Sequence, residues 1–84
     1  MSIILRLLVL YNSMEKDYKK AFAENLRTLI GDTSVNEFSK KIGIPQQTLS
    51  RYLLCQREIT LENLCKIADY FDEDIDSLIG RKNY

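Results

Sequence analysis

Histidine and tryptophan are absent from this 84-residue chain, and cysteine, proline and glycine number only two, one and three. Without histidine, and with Cys55 and Cys65 lacking the paired spacing of a metal site, a zinc finger is excluded on ligand count. The missing imidazole also removes the commonest general base, so an enzyme is not expected, and no cofactor is implied. So little proline and glycine, beside 45% hydrophobic residues, argues against disorder. No apolar run approaches the ~20 residues needed to cross a bilayer. The longest, at residues 1–11, is interrupted by Arg6 and followed by no small-residue cleavage site. Neither a membrane span nor a signal peptide is expected, which points to a cytoplasmic protein with reduced thiols.

A chain of this length makes one small domain, able to bury roughly 60% of its unfolded surface. No separate sensor, protease or oligomerisation domain is expected beside it. A net charge of zero is a mild argument against nucleic acid, but the charges are unevenly spread. Residues 1–57 carry a balance of +4 and residues 58–84 a balance of −4. Such a domain can turn a positive face to phosphates while the other end suits subunit contact or solvent. The carboxylates Asp72, Glu73, Asp74 and Asp76 do not match a calcium loop and read as solvated charge with a helix cap.

Apolar residues recur at helical spacing through most of the chain. A first helix is expected from Asn12 or Ser13, with Asn12 and Glu15 as a capping pair and a stripe of Met14, Tyr18, Phe22, Leu26, Leu29 and Ile30 ending at Gly31. Ser34 and Glu37 form a complete capping box for a second helix, with Phe38, Ser39 and Ile42 inward. Gly43 supplies a tight turn, Ile44 plugs the corner, and Pro45 pre-sets a third helix whose inner side is Leu49, Tyr52 and Leu53. Thr60 caps a fourth helix with a stripe of Leu61, Leu64, Ile67, Ala68 and Phe71, into which Cys65 packs as a small hydrophobe. Asp74 caps a short fifth, with Ile75, Leu78 and Ile79 inward and Gly80 after it. Cys55 falls in a loop. The expected fold is all-α.

Residues 34–54, two short helices around Gly43, resemble the helix-turn-helix of the Cro/C1 (xenobiotic-response-element) family typified by lambdoid phage repressors. The likeness runs from about Phe22 to Ile79 and implies a five-helix lambda-repressor-like domain over 14–80. An apolar N-terminal extension over 1–13 precedes it, and a tail over 81–84 follows. It further implies a sequence-specific regulator, a repressor by type, that binds double-stranded DNA as a homodimer. The carried-over base-reading positions are Gln46, Gln47, Ser50 and Arg51, because glutamine pairs with adenine edges and arginine with guanine edges. Phosphate contacts are expected from Ser34, Asn36, Lys40, Thr48, Gln56 and Arg57, and from the free amides that open the second helix.

The departures from the family carry information. Val35 replaces a glutamine that often holds a phosphate. Thr28 and Leu53 stand where the family often pairs an arginine with a glutamate, so both charges are missing together and neither is orphaned. Leu53 and Leu54 then add apolar surface, and Cys55 replaces a usual glycine at a cost on the order of 1 kcal/mol if a left-handed backbone is kept. The competing function is a protein-interaction module, or an antitoxin-like protein that binds a partner through the same fold. Zero charge, Val35 and the apolar N-terminus favour it. Residues 1–13 read either as an extension ahead of a start at Met14 or as a segment that packs on the domain. Two surfaces suit a dimer: the acidic end with the fifth helix, or the strip Ile3–Tyr11 with Leu53 and Leu54.

Overall fold

The computed structural model describes residues 17–81. Among them are five helices and no strand: α1 (Tyr18–Ile30), α2 (Val35–Ile42), α3 (Gln46–Leu53), α4 (Leu61–Phe71) and α5 (Ile75–Leu78). α3 packs between α1 and α2, α4 lies against α2 and α5, and α5 closes back on α1. Each helix is too short to persist alone in water, so packing of its apolar face must supply most of its stability.

The core forms where these faces meet. Phe22, Leu26 and Ile30 come from α1, Phe38 from α2, Leu49 and Tyr52 from α3, Leu64 and Ile67 from α4, and Leu78 from α5. Phe38 stacks on Phe71 with centroids 5.4 Å apart and takes the edge of Tyr70 at 5.5 Å. That aromatic cluster joins α2 to the end of α4. Among the described residues no buried side-chain polar atom lacks a partner.

Several local expectations are corrected. α1 is capped by Asp17, whose carboxylate accepts from the Lys20 amide at 3.0 Å. Asp17 has an extended backbone, so the helix does not run through it from Asn12 or Ser13. The Asn12–Glu15 pair and Met14 lie outside the described residues. Only one arm of the capping box at α2 is made, from the Glu37 amide to Ser34 Oγ at 3.1 Å. Asp74 stands at the cap position of α5 but makes no side-chain cap bond. Leu61 is 81% exposed and Cys65 is exposed too. These two are four residues apart and so share a helix face, which lies beside the inward stripe of Leu64, Ile67 and Ala68 rather than on it.

Three helices end in the same way. After α3, α4 and α5, an amide reaches back five residues and the one before it reaches back three, which satisfies the last carbonyls. The pivot residue is left-handed each time: Cys55 (φ 59), Asp72 (φ 53) and Gly80 (φ 81). Gly80 is needed for space as well, because a Cβ there would lie 2.8 Å from the Cβ of Ala21 on α1. Cys55 has the backbone expected of the glycine it replaces. A left-handed L-residue costs about 1–2 kcal/mol, against about 0.4–1 kcal/mol that glycine loses through its freer unfolded chain. Cys55→Gly should therefore raise stability by about 0.5–1 kcal/mol, read as a higher urea midpoint. An unchanged or lower midpoint would show that the contact of Cys55 Sγ with the Lys19 carbonyl (3.8 Å) offsets the strain.

Candidate nucleic-acid interface

The turn between α2 and α3 fixes what α3 presents. Gly43 is left-handed at φ 77, and its amide closes α2 on the Ser39 carbonyl at 2.9 Å. Nothing lies within 4 Å of where its Cβ would stand, so the demand here is conformational and not steric. Ile44 follows at 2% exposure and anchors the corner in the core. Pro45 opens α3 with φ −55 and has no amide to satisfy at a helix end.

From that start the register of α3 is set. Leu49 is fully buried and Tyr52 nearly so, while Gln46, Gln47 and Arg51 are exposed. Thr48 and Ser50 are half-buried on the flanks. Positions 46 and 50, and 47 and 51, are each one helical turn apart, so they form two neighbouring rows on the outward side. The inner side is tied down at several points. Tyr52 meets Phe22 edge-on at 6.2 Å, and its hydroxyl accepts from Asn63 Nδ2 on α4 at 2.9 Å.

Arg27 on α1 adds a tie that no local sequence pattern signals. Its guanidinium donates to the Leu53 carbonyl at 3.3 Å. The ion pair absent at Thr28 and Leu53 thus has a partial substitute one residue earlier, aimed at backbone instead of a carboxylate. A cation at a helix C-terminus is favoured by the dipole as well. Arg27→Ala should cost about 0.5–1 kcal/mol of stability, with Arg27→Lys losing less. Chemical denaturation of the two variants tests this, and equal loss in both would mean that the guanidinium hydrogen bond to the Leu53 carbonyl, and not the charge, is what matters.

The flanking candidates fall on two segments beside α3, namely α2 with its cap and the loop that follows α3. Ser34 caps α2, and Asn36 and Lys40 are exposed on that helix. Gln56 and Arg57 are exposed in the loop after α3, which the Gln56 amide folds back onto the Arg51 carbonyl at 2.8 Å. Val35, in place of the expected glutamine, packs against the core. Among the described residues no group of carboxylates and thiols is placed to hold a metal ion, and no helix is long and apolar enough to cross a membrane.

Residues 24–78 match the family model described as helix-turn-helix, a span that includes both helices, their turn and every candidate residue above. No curated protein and no solved structure matches the chain. With nearly two-thirds of its length in that match and the turn geometry in place, the chain belongs to the helix-turn-helix family of the Cro/C1 type, a family of DNA-binding domains.

Proposed function

We propose that the protein is a sequence-specific regulator that lays α3 in the major groove and acts as a repressor by occupying its operator. The observation that carries this reading is the sorting of α3, with Gln46, Gln47 and Arg51 outward from a helix whose other side is fixed in the core. An α-helix fits the major groove of B-DNA, where glutamine can pair with adenine N6 and N7 and arginine with guanine N7 and O6. Ser50, half-buried, lets the helix lie close. Ser34, Asn36, Lys40, Thr48, Gln56 and Arg57 are assigned to phosphates, helped by the positive end of the α2 dipole. The domain is taken to span 14–80, with 1–13 and 81–84 as appendages.

A domain of this size touches only a few base pairs, so we assign it a two-fold dimer on half-sites roughly one helical turn apart. Selection of bound duplexes from a random pool should yield a palindrome. Its affinity should fall with a log–log salt slope of about −0.9 per phosphate contacted. Light scattering with and without that duplex reads the dimer, and a reporter gene behind the operator reads the direction of regulation. Absence of any enriched sequence, with no salt-dependent binding, would favour the rival reading of the fold as a protein-interaction module.

A further inference from the structure

A groove of about 160 Å³ opens beside α1 on the side where the described chain begins. Phe22 and Tyr52, both buried, form its floor, and the half-buried Ile59 and Ile79 wall it. Tyr18 and Lys19 form the near edge, one and two residues after Asp17, where the described chain starts, and the exposed Arg57 and Glu58 complete the lining. An apolar cavity of roughly 150 Å³ holds a benzene-sized group, so this groove is matched by one large side chain with neighbours over its rim.

Ahead of Asp17 the sequence carries Ile3–Tyr11, an apolar strip broken only by Arg6. We propose that this strip of the same chain docks in the groove, with one leucine or the Tyr11 ring as its anchor. Residues 12–16 can span up to ~17 Å, at about 3.3–3.6 Å each, enough to bring the strip back over Tyr18 and Lys19. A tether this short sets an effective concentration on the order of millimolar, which favours the chain's own strip over that of a second copy. The docked strip also answers a solubility problem, because a small domain rarely exposes a long continuous apolar segment. Leu53 and Leu54 are then not the strip's seat: Leu53 already packs on the core, and Leu54 stays exposed at the end of α3.

The full chain, isotopically labelled, tests this by NMR. Methyl protons of Ile59 and Ile79 should show nuclear Overhauser contacts to residues 3–11. A sample mixed from labelled and unlabelled chains, filtered for contacts between chains, should show none. Ile79→Glu, checked for fold by circular dichroism, should lose the contacts and move the amides of 3–11 to random-coil positions. Absence of the contacts in the native chain would overturn the proposal. So would contacts seen only between chains, which would make the groove a dimer interface.

Discussion

Leu49→Ala is expected to lower the free energy of unfolding by about 2–5 kcal/mol. Leu49 has no solvent exposure, and α3, which carries it, packs against both α1 and α2. Truncation there removes transfer energy and leaves a cavity that short helices, held by capped ends and a tight turn, can only partly close. Total stabilities run about 5–15 kcal/mol, and a domain this small belongs near the lower limit, so one such substitution removes a large share. Urea unfolding should show the midpoint falling with its slope unchanged. The comparison is Leu54→Ala, five positions on, where a 62% exposed side chain should change stability by no more than about 0.5 kcal/mol. Similar losses in the two variants would mean that α3 is rotated from the register described, and the assignment of its outward face would fall with it.

On the selected operator, Gln47→Ala and Arg51→Ala should each weaken binding by about 1–3 kcal/mol, or roughly 5- to 150-fold, and relax preference at one base position. Both side chains are exposed and share one row of α3, so their loss should leave folding intact. Arg57→Ala should behave differently. It should weaken binding to specific and random duplexes alike and make the salt slope shallower by about one contact. Binding curves on both duplexes at several salt concentrations separate the two patterns. If Arg51→Ala weakened random DNA as much as the operator, Arg51 would be a phosphate contact and the division between base and backbone readers would be wrong.

The outward face of α3, the candidate interface, was legible locally. Gly43 with Ile44 and Pro45 imposes a turn by backbone chemistry alone, and the spacing of Leu49 and Tyr52 then leaves Gln46, Gln47 and Arg51 outward. The caps Ser34 and Thr60 were readable for the same reason, since each acts on an amide three residues away. Cys55 likewise keeps the left-handed backbone expected of the glycine it replaces. The start of α1 was not readable, because Asn12, Ser13 and Asp17 are all able caps, and nothing local to the sequence chose among them.

Where long-range neighbours decide, the pattern was silent or misleading. Leu61 and Cys65 look apolar and periodic, yet among the described residues nothing covers their face of α4, because periodicity marks a stripe but not which flank another helix covers. Asn25 Nδ2 donates to the Ser77 and Leu78 carbonyls at 3.1 and 2.9 Å, capping α5 from more than fifty residues away. Arg27 closes the end of α3 from α1, and Asn63 holds Tyr52 from α4. What the sequence determined by itself were the helices, their turn and the side of α3 that faces out, because φ preference and capping act within a few residues. The tertiary structure alone decided which helix ends are tied by side chains from elsewhere and which apolar faces the described helices cover, because those depend on groups that only the completed packing brings together.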